Sequence, residues 1–265
     1  MSINFHDANN KYTYANRNAH ISWQETINNI VDVQNKQVID IGCGGGIYTK
    51  ELALMGAKSV VGLDFSKEIL QAAKENCNAF PNISFIHGDA HNISFPNETF
   101  DLVISRAVIH HLHDIPTFIR EASRILKKDG ILILQDRTIE DCIIPGSPEH
   151  LRGYFFSVFP KLIETEAQRR PKTTTIQQLL QTYPLQALPI QTQWEVRKVH
   201  DSVEALLQDL SPRTGRSILY ELTDNELSQL LHHIQTALQN VSPIIERDRW
   251  TIWSAKNCKE GSLTK

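Results

Sequence analysis

Two aspartates, Asp40 and Asp64, flank a glycine run, Gly42-Cys43-Gly44-Gly45-Gly46. Glycines at 42, 44 and 46 let the main chain approach a ligand closely and tolerate positive φ. Asp64 lies twenty residues past Gly44, at the end of an apolar run, where an acid accepts bonds from both hydroxyls of a ribose. Asp40 sits inside Val38-Ile39-Asp40-Ile41, two residues before the turn. A carboxylate there repels a pyrophosphate and attracts an ammonium or sulfonium. A dinucleotide site also wants glycine at position 47, where this chain has Ile47. The ligand that fits is a nucleoside with a cationic tail, and S-adenosylmethionine is the obvious one.

Such residues need a strand, a turn, a helix and a second strand to hold them. The apolar runs predict strands at 37–41, 59–63, 83–87, 100–105 and 130–136. Helices are predicted at 47–55, 67–77 (capped by Ser66) and 115–127, and an amphipathic helix over 19–33 precedes the first strand. This alternation demands a parallel sheet covered by helices on both faces. After Arg137 the pattern changes. A loop is expected at 138–153, helices at 154–168 (interrupted by Pro160) and 175–183, and strands near 190–199 and 246–255. The stretch 201–240 is helical again, split by Pro212 and Gly215.

The segment Val38 to Phe65 resembles motifs I and II of the class I S-adenosylmethionine-dependent methyltransferases. The resemblance continues through Phe85-Ile86-His87-Gly88-Asp89-Ala90, through Phe100-Asp101-Leu102-Val103-Ile104-Ser105 and the loop Ala107-Val108-Ile109-His110-His111-Leu112, to Leu126–Leu134. Motifs in matching order and spacing cover roughly residues 36–136, whereas one glycine loop alone is a weak signal. The resemblance implies an α/β fold, a doubly wound, mostly parallel seven-stranded Rossmann-like sheet. A C-terminal antiparallel hairpin closes it, with a helical cap inserted at about 201–240. It divides the chain into a helical segment at 1–35, a cofactor-binding core at 36–137 and the rest of the sheet with its cap at 138–265. It also implies methyl transfer from S-adenosylmethionine, with S-adenosylhomocysteine as product. The cofactor residues it points to are Asp40, Gly42, Gly44, Asp64, Phe65, Asp89 and Ala90, with Tyr14 (and Tyr12) closing over the ligand. Arg106 is placed with this set. The family more often has a small or amide residue there, so Arg106 can instead hold an acidic substrate or pair with a nearby acid.

Methyl transfer from a sulfonium is an in-line displacement, and a general base is needed only when the nucleophile arrives protonated. The catalytic residue is therefore left open among His110, His111 and His150. No metal is expected, because adjacent histidines point apart and helical ligands need i, i+4 spacing. Cys43, Cys77, Cys142 and Cys258 form no C-x-x-C pair, which suits a reducing cytosol.

Net charge is −3 and the pI about 6.4, so no global field recruits nucleic acid or anionic membrane. The N-terminus has no apolar core of signal-peptide type, and no run is long enough to span a bilayer. The expectation is a cytoplasmic monomer or homodimer that methylates an O, N or C nucleophile of a small molecule. The rivals are methylation of RNA or protein, and a non-catalytic protein that binds an adenosyl ligand. The run Glu164, Glu166, Arg169, Arg170, Lys172 reads as a solvated helix face, and Arg213, Arg216, Arg247 and Arg249 as solvated ion pairs.

Overall fold

The computed structural model describes residues 19–259, which fall into two compact units. In chain order the elements are α1 (Ile21–Ile30), β1 (Gln37–Ile41), α2 (Ile47–Leu54), β2 (Ser59–Asp64), α3 (Lys67–Asn76), β3 (Ile83–His87), β4 (Phe100–Arg106), α4 (Ile115–Ile125) and β5 (Leu126–Asp136). Then come α5 (Ile139–Cys142), α6 (Arg152–Val158), α7 (Lys161–Arg169), α8 (Thr173–Thr182), β6 (Leu185–Ala187), β7 (Gln191–His200), α9 (Val203–Leu210), α10 (Asp224–Leu238) and β8 (Ile244–Asn257).

The first unit holds residues 19–136, Pro171–Thr192 and residues 251–259. Its sheet runs β3-β2-β1-β4-β5-β8-β6. Pairing is parallel from β3 to β5, and β8 lies antiparallel on both β5 and β6. Val38, Ile39, Ile41, Leu102, Val103 and Ile133 are buried. Strands covered on both faces read as unbroken apolar runs, which is why these were legible. The chain winds outward from β1 to β3, then returns to the other side of β1 with β4. Ligands in open α/β sheets bind at the carboxyl ends of the strands flanking such a reversal.

Several details differ from expectation, among them the expected loop at 138–153, which holds α5 and the start of α6. The strand predicted from residue 130 begins at Leu126, and α4 ends at Ile125 rather than 127. Asp129 takes φ +62°, and a register shift between Phe100 and Leu102 absorbs the early pairing. The short strand β6 adds an eighth member to the sheet, while β7 pairs with β8 off the main path.

The second unit holds Arg137–Arg170 and Gln193–Trp250. Its core joins Phe155 and Phe156 of α6, Leu206 of α9 and Leu230 and Ile234 of α10. The helical insertion expected at 201–240 is thus one part of a unit that also draws in 137–170. The polar run around α7 is only partly a solvated face: Glu164 and Lys172 are exposed, whereas Glu166 and Arg170 are buried. Glu166 is fully buried and is shared by Arg169 (2.5 Å), Arg170 and Arg152 (3.9 Å). Burial pushes its carboxyl up, but Arg170, Arg169 and Arg152 overcome this and hold it well below the usual range. Arg216 is also buried, not solvated. Glu166→Gln is expected to cost about 3–5 kcal/mol, the loss seen when one partner of a buried ion pair is removed. A depressed carboxyl stabilises above its unfolded pKa of about 4.3. Urea unfolding should therefore show the full deficit at pH 7 and a shrinking one below about pH 4.

Candidate functional site

At the carboxyl end of β1 the turn is pinned to β2. The N–H groups of Gly42 and Cys43 both donate to Leu63 O (2.7 and 3.0 Å). Gly44 N donates to Asp64 Oδ2 (2.9 Å) and Ser66 N to Asp64 Oδ1 (3.0 Å). These main-chain donors are turned inward, away from any phosphate. Asp64 is oriented by them, yet an ionised carboxylate has about four acceptor sites, enough for a ribose diol as well. A Cβ on Gly42 would lie 2.2 Å from Val108 Cγ2, so this position (φ +75°) excludes any side chain.

Asp40 is buried at the same edge and accepts a bond from Thr49 Oγ1 (2.6 Å) in the first turn of α2. Burial pushes its carboxyl up to about 6; Asp64 adds to the rise, and Thr49 and Arg106 oppose it. A buried acid with that cost is relieved by a cation beside it. The donor set therefore fits a nucleoside carrying an ammonium and sulfonium, and does not fit a diphosphate.

Asp40→Asn keeps an acceptor for Thr49 but removes the charge. Because the folded pKa lies above the unfolded value, ionising Asp40 destabilises the apo protein progressively from about pH 4 to pH 6. The variant should gain about 2–3 kcal/mol above pH 6 and nothing below pH 4, while losing at least tenfold in affinity for S-adenosylhomocysteine. Urea unfolding at both pH values and calorimetry at pH 8 check both halves.

The ends of β4 and β5 supply the rest. Arg106 is buried, with its guanidinium 4.1 Å over the Tyr48 ring. Tyr48 packs on Trp23, which donates to Gln135 Oε1 (2.9 Å). Ala107 follows with φ +58°. In the helical turn Ile109–His111, His110 Nδ1 meets both oxygens of Asp136 (3.0 and 2.8 Å). The His110 main-chain N–H also donates to Asp136 Oδ2 (3.3 Å), and Asp136 is fully buried. A carboxylate that can only accept fixes the hydrogen of His110 on Nδ1, which makes Nε2 the basic nitrogen.

Beside β2 and β3, Phe65 is half exposed, as a stacking surface for a base would be, and its carbonyl faces His87 Nε2 (3.0 Å). Asp89 is exposed and Ala90 buried. Asp89 Oδ1 accepts from both His91 N (2.9 Å) and His91 Nδ1 (2.7 Å).

The structure thus gathers Asp40, Gly42, Gly44, Asp64, Arg106 and His110 at the carboxyl ends of β1, β2 and β4. His111 is exposed, its ring 4.0 Å from that of His110. His150 belongs to the second unit, where it is buried against Trp194, and burial lowers its pKa. Tyr14 and Tyr12 lie outside the described residues. Sequence reading gave no role to Thr49 or His91, and placed Asp136 beside the cleft only as an acid ending the fifth strand, without its partner His110.

Elsewhere, ligand atoms of His200, Asp209 and Glu246 lie within 4.8 Å of one another. Arg216 already bridges Glu246 (2.9 and 2.8 Å) and Asp209 (2.8 Å) and supplies the positive charge there. Among the described residues, no helix is long and apolar enough to cross a membrane.

Residues 39–134 match a family model described as a methyltransferase domain. The demethylmenaquinone methyltransferase of Lysinibacillus sphaericus is 27% identical over 168 residues, covering 62% of this chain and 71% of that one. The ubiquinone biosynthesis O-methyltransferase of Pelagibacter ubique is 32% identical over 102 residues, covering 38% and 42%. The crystal structure of YcgJ from Bacillus subtilis superposes with a TM-score of 0.60 at 22% identity, covering 91% of this chain and all of that one, a likeness of fold.

Proposed function

We propose that this chain is a class I S-adenosylmethionine-dependent methyltransferase that methylates a hydroxyl oxygen of a small molecule, with His110 as general base. When bound, S-adenosylmethionine supplies an electrophilic methyl group on a sulfonium. Asp40 would hold the ammonium of its amino-acid end, Asp64 the ribose hydroxyls, and Phe65, Asp89 and Ala90 the base. His110 Nε2 would take the proton of the acceptor hydroxyl as the methyl group is transferred to its oxygen. The Nδ1 hydrogen stays on the imidazole and is donated to Asp136, whose charge stabilises the imidazolium until the Nε2 proton passes to water.

The observation that carries this reading is the Asp136-held imidazole of His110 (2.8 Å) at the carboxyl ends of β4 and β5. A proton acceptor built this way serves a nucleophile that arrives protonated, and a hydroxyl is the commonest such group. One of the relatives is named as an O-methyltransferase, which agrees with a hydroxyl acceptor.

The test is release of S-adenosylhomocysteine with a panel of small phenols and enols set against amines, RNA and protein. Turnover with hydroxyl compounds supports the proposal. Turnover only with RNA or protein overturns it, and binding of S-adenosylhomocysteine without any turnover favours a non-catalytic role.

A further inference from the structure

Asp89 is an exposed acid, its side chain 65% accessible, and such a carboxylate ordinarily rotates. Here one oxygen is fixed twice. Oδ1 accepts the main-chain N–H of His91 (2.9 Å), an arrangement any residue at 91 would allow. It also accepts Nδ1 of the His91 imidazole (2.7 Å), which only a side-chain donor can provide. The main-chain bond is the main reason the Asp89 carboxyl titrates below its usual range, burial opposing and the imidazole assisting. Asp89 is therefore an acceptor at neutral pH, and the shared hydrogen belongs to His91 Nδ1.

The other side of the imidazole is anchored by packing alone. His91 Nε2 is buried without a hydrogen-bond partner among the described residues. Its ring lies 4.2 Å from that of His113. A buried ring nitrogen left without a bond is a cost, of about 1–3 kcal/mol. The ring is held there nonetheless, with its bonded edge on Asp89.

We propose that His91 is a positioning residue for base recognition. By holding Oδ1, it turns Asp89 Oδ2 outward to accept from the exocyclic amine of an adenine. The inference rests on the reading that Asp89 faces the base of the cofactor. Selectivity for adenine over other purines then depends on His91, which itself makes no contact with the ligand.

The test is calorimetry with two ligands, S-adenosylhomocysteine and its 6-deamino analogue, which has hydrogen in place of the amine. His91→Ala should weaken S-adenosylhomocysteine about fivefold, the worth of one hydrogen bond, and leave the deamino analogue unchanged. His91→Asn, whose amide can replace the Nδ1 donor, should restore most of the loss. Equal weakening of both ligands, or no weakening of either, overturns the proposal and leaves Asp89 in place. If Asp89→Ala binds S-adenosylhomocysteine as tightly as the parent, the base assignment itself fails, and the proposal with it. Melting temperatures of the variants separate loss of fold from loss of recognition.

Discussion

His110→Ala is expected to lower kcat by about 10²–10⁴-fold, the usual contribution of a positioned base, while leaving the affinity for S-adenosylhomocysteine within about twofold. The split follows from placement. The cofactor's charged and hydroxyl groups are assigned to Asp40 and Asp64 on β1 and β2, whereas His110 sits on the turn after β4 and answers to Asp136. Asp136→Asn should come close to the same deficit. An amide can donate to Nδ1, which would move the imidazole hydrogen to Nε2 and remove the basic nitrogen. In the parent enzyme kcat should rise with pH through one titration, and that rise should vanish in His110→Ala. A variant with unaltered kcat and an unaltered pH profile would exclude His110 as base and return the acceptor to nucleophiles that arrive unprotonated.

Gly42→Ala should remove measurable cofactor binding and destabilise the protein by about 2–6 kcal/mol. Two costs add. A non-glycine residue at φ +75° costs about 1–3 kcal/mol, and a Cβ placed 2.2 Å from Val108 Cγ2 adds about 1–3 kcal/mol of overpacking. Relieving the contact shifts the turn, and with it the N–H of Gly44 that orients Asp64. Misplacement of about 1 Å is enough to cost two orders of magnitude at a site that works by positioning. The companion Val108→Ala separates the two costs. The double variant should recover the packing share of stability and keep the backbone share. If Gly42→Ala unfolds at the parent's temperature and binds S-adenosylhomocysteine normally, the turn geometry is wrong.

The part of the molecule assigned to the cofactor was legible because its strands are buried on both faces and its turn needs glycine. Val38–Ile41, Ser59–Leu63 and Phe100–Ser105 are apolar runs of strand length, and Gly42 and Asp64 stand at their ends. What escaped depended on register. Asp136 meets His110 because parallel pairing sets Arg106 opposite Gln135, which brings the two strand ends level across 26 residues of sequence. Thr49 reaches Asp40 only once the helix after the turn is placed. The second unit misled for a different reason. Glu166, Arg170 and Arg216 are residue types that composition assigns to water, yet pairing of Glu166 with Arg170, and of Arg216 with Glu246 and Asp209, lets them be buried. Local patterning cannot separate such residues from a solvated face.

β5 takes its outer neighbour from residues 251–256 of β8. On the ribosome, Leu132, Ile133 and Leu134 emerge long before that partner exists. At about 5–20 residues per second the delay is on the order of ten seconds. Through that interval the nascent chain carries a bare, apolar strand edge of the kind that recruits chaperones or seeds aggregation. Expression yield should therefore respond to synthesis rate and chaperone supply more sharply than the finished protein's stability would suggest.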